Sequence, residues 1–436
     1  MLLQFTTGNY LSFKDKQTLS LNAEALKELQ LHLHIPYLYN HKERVLKSAA
    51  LFGHNSHGKS NFLKAYSFFI NFLVNSFNLT KGNNRIDVES FKLNTSTMNK
   101  PSLFEAEFVV KNLKYKYGYE LTDEKIVSEW LFYSQPQVRE NYLFIRNGQE
   151  FQLNKTWNKE ANNRIELQGI PFAKSQTLLL SVLLSQEEIP KIPPISEWIN
   201  GNIFLPAFTD NLESLVQNAV GVFSKEEYKG QILKFLKDAD LGFETIFDKI
   251  EQTSKNNPAY DKEIFNIWYS NEIKRFELYT NHLVYDENYT LRSKQQFELL
   301  KKESDGSIKY FILACLFAYA LKNGNLIIID ELDSRLHTLL FEILIKQFHS
   351  NKLNTNGSQL IFTAHNTTLL NKKLRRDQII FVEKNQYGES SIRRLHTKES
   401  PVRIDTSIEK DYRKGELGGV SQKLKEMNNN SSKLFE

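Results

Sequence analysis

The chain has 436 residues, of which 41% are hydrophobic, 12% aromatic and 25% charged, and this is enough apolar material for a large core and two or three domains. The 56 Lys and Arg residues nearly balance the 51 Asp and Glu residues, so the net charge of +5 permits contact with nucleic acid only through a local basic patch. The single cysteine, Cys315, excludes an internal disulfide framework and a cysteine-cluster metal site, and it favours a cytoplasmic protein.

The sequence shows no sign of a membrane segment or of a repeat architecture. The longest apolar stretch, residues 310–321, is too short to span a bilayer. The first residues, MLLQF, lack the basic and apolar regions of a secretory signal, and no repeat of about 20–50 residues is visible. We therefore expect a protein without a membrane partner.

The first half of the chain predicts strands around one helix. Short apolar or alternating runs typical of strands occupy residues 2–5, 17–21 and 48–52. Residues 60–77 carry apolar side chains at helical spacing. Segments dense in Phe, Tyr and Val lie at residues 104–110, 115–121, 130–133 and 142–146. Turn residues separate these segments, so an antiparallel meander is expected.

The second half predicts a helical segment and then alternating helices and strands. A leucine-rich helix at residues 176–184 precedes a break at Pro190, Pro193 and Pro194. Residues 195–275 predict mostly helix, with a second break at residues 256–258. Further on, helices are expected at residues 310–321 and 339–348, and strands at 326–329, 360–363 and 379–382. Uniformly apolar strands between helices indicate a sheet covered on both faces.

Residues 53–60, GHNSHGKS, fit the phosphate-binding pattern G-x-x-x-x-G-K-[ST]. A buried strand precedes the loop and a helix follows it, which is the context that the pattern requires. The glycines let backbone amides of the loop point to phosphate oxygens, and the helix N-terminus adds a positive dipole end. Lys59 would reach the β- and γ-phosphates, and Ser60 would ligate Mg²⁺. The loop residues that we expect to bind nucleotide are Gly53, Asn55, Ser56, Gly58, Lys59, Ser60 and Asn61.

Two further strands end in polar residues. Four aliphatic residues precede Asp330 and Glu331, so a buried strand would deliver both carboxylates beside the phosphate loop. Asp330 is then expected to hold Mg²⁺ and Glu331 to act as general base on water. Alone, such acids are more often the start of a polar loop, but the phosphate loop favours the functional interpretation. His365 ends a second aliphatic strand, where it could donate to a γ-phosphate.

The segment Ser304, Asp305, Gly306 and Ser307 stands at the start of the predicted helix 310–321. Its hydroxyls and amides could bind a phosphate, or they could simply cap the helix. The helix start would lie far from its own phosphate loop, so it would reach the loop of a second subunit.

The order of these motifs resembles that in ATP-binding-cassette (ABC) ATPases of the SMC, RecF and OLD kind. Along the chain the motifs are the phosphate loop, residues 304–307, Asp330-Glu331, residues 334–337 and His365. More narrowly, the chain resembles small AAA-type members of bacterial antiphage and abortive-infection systems, such as RloA and AriA, over nearly its whole length. Residues 9–14, 117–120, 129–131 and 237–243, together with Tyr412 and residues 415–420, match further segments of these proteins.

This resemblance implies an α/β fold: a two-lobed ABC-type P-loop NTPase, with a mixed-sheet lobe, an antiparallel meander and a helical insertion. It implies ATP and Mg²⁺ as cofactors and hydrolysis of ATP to ADP and phosphate. His365 would sense the γ-phosphate. A homodimer or higher oligomer would hold ATP between one chain's loop and the partner's Ser304, Gly306 and Ser307.

The expected division of the chain follows from the motifs. Residues 1–190 and 286–400 would form the two parts of the ATPase domain, residues 191–285 a helical insertion or lid, and residues 401–436 a tail. The signature differs from the Leu-Ser-Gly-Gly-Gln of transporters, which argues against transport. Gln135, Gln137 and Gln176 are weak candidates for a Mg²⁺-sensing glutamine.

The leading functional hypothesis is a nucleotide-driven switch or scaffold in antiphage defence that controls a separate toxic effector, such as a nuclease or TOPRIM-like protein. The alternatives are a RecF-like ATPase that clamps DNA, and an ATPase that gates a toxin or RNase within its own insertion.

Weaker patterns each have a plainer interpretation. Aromatic residues of the meander could stack on bases but are expected to form core. Basic clusters could contact phosphates but are more often a solvated face; they lie at residues 372–373, 375–376 and 393–394. His32 and His34 could share a metal, although no third ligand is nearby.

Overall fold

The computed structural model describes residues 1–34, 44–78, 85–136, 138–186, 189–207, 212–251, 275–371 and 373–417. The strands are β1 (Leu2–Gly8), β2 (Gln17–Ser20), β3 (Leu33–His34), β4 (Val45–Leu46), β5 (Ser48–Phe52), β6 (Ser102–Val110), β7 (Leu113–Leu121), β8 (Ile126–Ser134), β9 (Asn141–Asn147), β10 (Glu150–Leu153), β11 (Asn202–Leu205), β12 (Thr245–Glu251), β13 (Arg275–Tyr285), β14 (Leu291–Glu298), β15 (Leu326–Ile329), β16 (Gln359–Thr363), β17 (Ile379–Lys384) and β18 (Ser390–Arg394). The α-helices are α1 (Lys59–Asn75), α2 (Lys155–Glu160), α3 (Leu179–Leu184), α4 (Pro193–Asn200), α5 (Leu212–Phe223), α6 (Glu226–Ala239), α7 (Leu299–Lys302), α8 (Asp305–Asn323), α9 (Thr338–His349) and α10 (Ile408–Arg413).

The N-terminal meander is a seven-stranded antiparallel sheet in the order β10-β9-β8-β7-β6-β1-β2. Its aromatic side chains pack on α1: the ring of Phe69 lies 5.7 Å from that of Tyr119 and 6.0 Å from that of Tyr117. Both tyrosines are fully buried. The predicted meander is confirmed, and these rings are core side chains rather than a stacking surface for bases.

The second sheet has six strands in the order β11-β15-β16-β5-β17-β18, and all of its pairs except β17–β18 are parallel. Alternate residues of β15 point to opposite faces. Leu326 and Ile328 join the core that includes α1, whereas Ile327 and Ile329 join the core around α8. Burial on both faces explains the uniformly aliphatic sequence of this strand. The α/β, two-lobed fold class is confirmed.

Helix α8 is buried along most of its length, from Ser307 to Leu321, because α5, α6 and α9 surround it. The longest apolar stretch of the sequence is therefore the centre of a core helix. Among the described residues, no helix combines the length and hydrophobicity needed to cross a bilayer.

The segment from residue 191 to 285 is not purely helical, which corrects the expected helical insertion. Strand β11 lies within it and pairs in parallel with β15 in the central sheet. Strands β12 and β13 begin a three-stranded antiparallel sheet with β14, so this sheet continues past residue 285. A strand as short as β11, with only three apolar residues after Asn202, cannot be distinguished from a helix by periodicity alone. The predicted break at residues 256–258 and the tail from Asn428 lie outside the described residues.

The basic pair at residues 375–376 is not a solvated face, which is a second correction. Arg375 is fully buried, and its guanidinium donates to both carboxylate oxygens of Asp377 at 2.9 Å. Arg376 pairs with Glu28 at 3.1 Å. Arg394 is also mostly buried and donates to backbone carbonyls of the β2 region. These arginines fasten the N-terminal segment to the central sheet. Lys372 lies outside the described residues.

Three buried histidines lie at the same junction, and among the described residues no group of three or more metal-ligating side chains is placed to hold a metal ion. His32 pairs with the side-chain oxygen of Gln378 at 2.8 Å, and His34 with the carbonyl of Ser358 at 3.0 Å. The ring of His349 stacks on that of His32 at 3.7 Å. Burial lowers the pKa of all three, because an imidazolium would lose its hydration there.

Acidification should destabilise the protein through these histidines. Burial lowers the pKa of His32 and of His34 to about 4 in the folded chain, whereas an unfolded histidine titrates near 6.5, so the unfolded state binds more protons between these values. The contribution to stability is complete above about pH 6.5 and is lost as pH falls towards 4, by roughly 2 kcal/mol per histidine at pH 5. Urea unfolding at about pH 7.5 and pH 5 measures this loss.

A pair of variants isolates the histidine effect from other titrating groups. His34→Gln keeps an amide that can donate to Ser358 but removes the titrating ring, so it should lose less stability on acidification than the wild type. His337→Gln is the matched control: this exposed histidine caps α9 by accepting from the Leu339 amide, which a glutamine oxygen can also do, so the variant should lose as much stability on acidification as the wild type. An equal loss for His34→Gln and wild type would contradict the assignment.

Candidate nucleotide-binding site

The predicted nucleotide-binding residues meet at one end of the central sheet. They line an open cleft of roughly 340 Å³, formed by Asn55, Ser56, Gly58, Lys59, Ser60, Asn61, Asp330, Glu331 and His365. Parallel pairing explains this convergence, since β5, β15 and β16 all end at the same edge.

The phosphate loop is a tight backbone turn between β5 and α1. Gly58 has a φ of +108°, and a methyl group there would lie 2.5 Å from Ser390 Oγ and 2.8 Å from Ser12 Oγ. Ser56 also has a positive φ, of 64°. The Lys59 ammonium donates to the carbonyl of Gly53 at 2.7 Å. Glycine at position 58 is therefore required by both conformation and space.

Two serines from neighbouring elements support this loop. The Ser390 hydroxyl, at the start of β18, donates to the carbonyl of His57 at 2.7 Å. The Ser12 hydroxyl, in the connection between β1 and β2, accepts from Asn61 Nδ2 at 2.9 Å. The backbone joins them too, because the Ser390 amide donates to the Ser12 carbonyl at 2.7 Å. Neither Ser390 nor strand β18, which begins at it, was predicted from the sequence.

Thr363, the last residue of β16, links the two acids after β15. Its hydroxyl donates to Asp330 Oδ1 at 2.5 Å and accepts from the Glu331 amide at 2.7 Å. Glu331 has a left-handed φ of 50°. One threonine thus orients the Asp330 carboxylate and fixes the backbone that carries Glu331.

His365 lies beside Glu331, with 3.9 Å between His365 Nε2 and Glu331 Oε1. Its backbone amide donates to Asp333 Oδ2 at 2.9 Å, and the same oxygen accepts from the Asn366 amide at 2.5 Å. Asp333 therefore holds the turn that carries His365. This role of Asp333 was not predicted from the sequence, because its carboxylate acts on backbone amides and such contacts leave no pattern in the sequence.

Opposite charges face each other across the cleft. Burial lowers the pKa of the Lys59 ammonium, while the carboxylates of Asp330, Glu331 and Asp333 favour its charged form. Lys59 is only 6% exposed, so its charge acts in a partly desolvated site.

The signature residues do not line this cleft. Ser304 caps α8 by accepting from the Ser307 amide at 3.1 Å. Gly306 lies against the backbone of the turn after Glu331, where an added methyl would be 2.9 Å from the Arg335 carbonyl oxygen. The structure thus places residues 53–61, Asp330, Glu331 and His365 together and leaves Ser304, Gly306 and Ser307 outside.

None of the glutamine candidates enters the cleft within the described part of the chain. The Gln176 side chain donates to the Glu124 carbonyl at 3.0 Å, and Gln135 lies in an exposed loop after β8. Gln137 lies outside the described residues, as do residues 418–420 of the C-terminal motif. Tyr412 of that motif stacks on Phe381 of β17, with 5.2 Å between the ring centroids.

The fold and the site define a two-lobed P-loop NTPase domain. The chain belongs to the family described as "AAA domain, putative AbiEii toxin, Type IV TA system", whose model matches residues 48–371. No curated protein matches the sequence.

The solved structures that are similar to the chain include two SMC head domains. The SMC head domain from Thermotoga maritima is 13% identical, with 91% of this chain and 99% of that chain covered and a TM-score of 0.40. A structure described as the SmcHead bound to the C-winged helix domain of ScpA is 10% identical, with the same coverage and a TM-score of 0.44.

Gly58→Ala should weaken ATP binding by about 5- to 150-fold, because holding a left-handed alanine in the phosphate-binding conformation of this confined loop costs on the order of 1–3 kcal/mol. Titration with a fluorescent ATP analogue measures the dissociation constant. The matched control is Gly230→Ala in α6, where an added methyl meets nothing within 4 Å. The control should keep wild-type affinity and gain roughly 0.5–1 kcal/mol of stability. Wild-type affinity in Gly58→Ala would contradict phosphate binding by this loop.

Proposed function

We propose that the protein hydrolyses ATP to ADP and phosphate at this cleft and uses the cycle as a switch. The observation that carries the proposal is the convergence of Lys59, Asp330, Glu331 and His365 on one cavity beside a glycine-dependent loop. The four residues come from three loops at one edge of the sheet. If Lys59 were only a solvated lysine, or the two acids only the start of a polar loop, these side chains would have no reason to meet in one cavity.

The loop residues would bind the phosphates of ATP. The ammonium of Lys59 bonds only backbone carbonyls among its described hydrogen bonds, so it can turn to a phosphate at the same position. The amides at the start of α1 add the positive end of the helix dipole. Asn55, Ser56 and Asn61 line the same cavity and offer further polar contacts.

The residues present fit Mg²⁺. Ser60 and Asp330 line the cleft and offer a hydroxyl and a carboxylate, which are the hard oxygen ligands that this cation prefers. Thr363 fixes only one oxygen of Asp330, which leaves the other for a ligand. A bound Mg²⁺ would neutralise charge on the β- and γ-phosphates.

Glu331 would take the proton of the attacking water, and His365 would contact the γ-phosphate. Glu331 is half-buried at the cleft, with its backbone held by Thr363. His365 is held from its amide side by Asp333, so its ring can turn towards the nucleotide without loss of the anchor.

A second copy of the chain would complete the site. Ser304, Gly306 and Ser307 stand at the N-terminus of α8, outside the cleft of their own chain, so they would bind the nucleotide held by a partner. A homodimer or larger oligomer with ATP at its interfaces accounts for this arrangement.

The switch would act in antiphage defence, in the manner of RloA- or AriA-like systems, by controlling a separate toxic effector such as a nuclease or TOPRIM-like protein. The family description names a putative toxin and a Type IV TA system, which supports a link between this switch and a toxic protein. Co-purification from the native operon with and without ATP tests it. Capture of an effector in only one nucleotide state supports the role, whereas ATP-dependent retention of duplex DNA with steep salt dependence favours a DNA clamp.

Glu331→Gln should trap an ATP-bound dimer. The amide is isosteric but cannot take a proton, so ATP binds while the rate of hydrolysis falls by about 100-fold or more. Size-exclusion chromatography with ATP and a phosphate-release assay measure the two effects. Lys59→Ala should remove ATP binding and therefore the dimer.

The matched control for Glu331→Gln is Glu399→Gln, at an exposed position remote in sequence from the motifs. It should hydrolyse ATP as the wild type does. If Glu331→Gln hydrolyses ATP at the wild-type rate, the general base is another group. If ATP leaves the elution volume of Glu331→Gln unchanged, the shared site is wrong.

A further inference from the structure

Lys309 is a buried cation that the proposed chemistry does not use. It stands in the second turn of α8, is only 1% exposed, and points to the turn that follows Glu331. Its ammonium donates to the carbonyl of Glu331 at 3.0 Å and to the carbonyl and hydroxyl of Ser334 at 2.8 and 2.9 Å. One side chain of the signature helix therefore holds the backbone of the proposed general base.

The turn that Lys309 holds has an unusual backbone. Both Glu331 and Arg335 are left-handed, with φ values of 50° and 57°, and the Ser334 amide donates to the Glu331 carbonyl at 3.1 Å. Such conformations cost free energy in residues other than glycine and persist only where the surroundings impose them. The Lys309 bonds to Glu331 and Ser334 are part of those surroundings.

The first turn of α8 touches the same segment at its other end. Gly306 packs against the Arg335 carbonyl, and Asp305 pairs with the Arg335 guanidinium at 3.1 Å. The helix start and the turn therefore move together when either is displaced. Lys309 is the contact that reaches from this helix to Glu331 itself.

Just before the signature, Glu303 ties the helix start to the three-stranded sheet. Its carboxylate accepts from the Thr280 hydroxyl at 2.6 Å and from His282 Nε2 at 2.7 Å, and both residues belong to β13. A displacement of this sheet would therefore reach the helix start as well.

A buried lysine at this position costs more free energy than an apolar side chain of similar size would. Burial lowers the pKa of Lys309 to about 8, although the Asp333 and Glu331 carboxylates oppose the shift. Methionine has a similar length and would pack without the cost of removing an ammonium from water. What the lysine adds is its set of bonds to Glu331 and Ser334.

We propose that Lys309 is a positioning residue that couples the signature at the start of α8 to the general base Glu331 of the same chain. The proposal rests on the proposed function, because it assigns Glu331 the role of base and the signature a contact with the partner's ATP. Occupancy of the partner's site then sets the position of Glu331 in this one, so hydrolysis at the two sites is coupled.

The test compares Lys309→Met with the control Lys322→Met, which removes an exposed ion pair with Glu227 at the far end of the same helix. Each variant is measured for kcat of ATP hydrolysis and for the dissociation constant of adenylyl-imidodiphosphate. Lys309→Met should lower kcat by about 10- to 100-fold, since small displacements of a reacting group have effects of this size. Its affinity for the analogue should stay within about twofold of wild type, and the control should match wild type in both.

A second variant tests whether the contact itself carries the effect. Ser334→Ala removes one acceptor of the Lys309 ammonium and leaves the charge in place, so kcat should fall by a smaller factor. In the double variant with Lys309→Met, Ser334→Ala should add no further loss, because the contact is already broken.

Several results would overturn the coupling role. These are a wild-type kcat in Lys309→Met, an equal change of kcat and affinity, and fully additive losses in the double variant. If thermal unfolding shows that Lys309→Met does not fold, Ser334→Ala decides alone, and a wild-type kcat there rejects the proposal. If the wild type itself binds ATP without hydrolysing it, the proposed function fails first and the coupling role falls with it.

Discussion

Strand β16 lies between β5 and β15 and is parallel to both. This arrangement ends three strands at one edge, so the phosphate loop, the acids and His365 start from neighbouring backbone positions. The bonds continue past the strands: the Ala364 amide donates to the Leu51 carbonyl at 3.2 Å, and the Leu332 amide to the Thr363 carbonyl at 3.1 Å. A slip of β16 would separate the residues that line the cleft, and its burial on both faces fixes the register against such a slip.

The two lobes meet on the same loop. Helix α1 begins at Lys59 and buries Phe69 against the meander, so the phosphate loop is tied to the larger antiparallel sheet. Ser12 and Ser390 reach the loop from the two sheets and bond to each other through their backbones. The buried pair of Arg375 and Asp377 lies at the opposite end of β17 from the cleft and fastens the N-terminal segment there. Residues of both lobes therefore hold the conformation of the phosphate loop, which does not rest on a single strand or helix.

The sequence was sufficient for the parts of the site that local patterns determine. The glycines and Lys59 follow from a contiguous motif, and the aliphatic run before Asp330 follows from burial on both faces of a sheet. Contacts between distant residues were not predictable in this way. Asp333 and Lys309 act on backbone groups, and such contacts leave no pattern in the sequence. The burial of Arg375 depends on its pairing with Asp377, which the sequence alone did not indicate. Strand β11 was missed because three apolar residues between helices have no distinctive period.

The left-handed backbone of Glu331 has a consequence for regulation. Its conformation costs on the order of 1–3 kcal/mol and is imposed from two sides, by the Thr363 hydroxyl on its amide and by Lys309 on its carbonyl. Thr363 belongs to the central sheet, whereas Lys309 belongs to a helix whose first turn is exposed and would face a partner in the proposed dimer. The direction of the glutamate side chain therefore depends on one fixed contact and one that can move. A small shift of the helix start would release strain at Glu331 without disturbing the sheet, so the proposed hydrolysis would be adjusted while the fold stays intact.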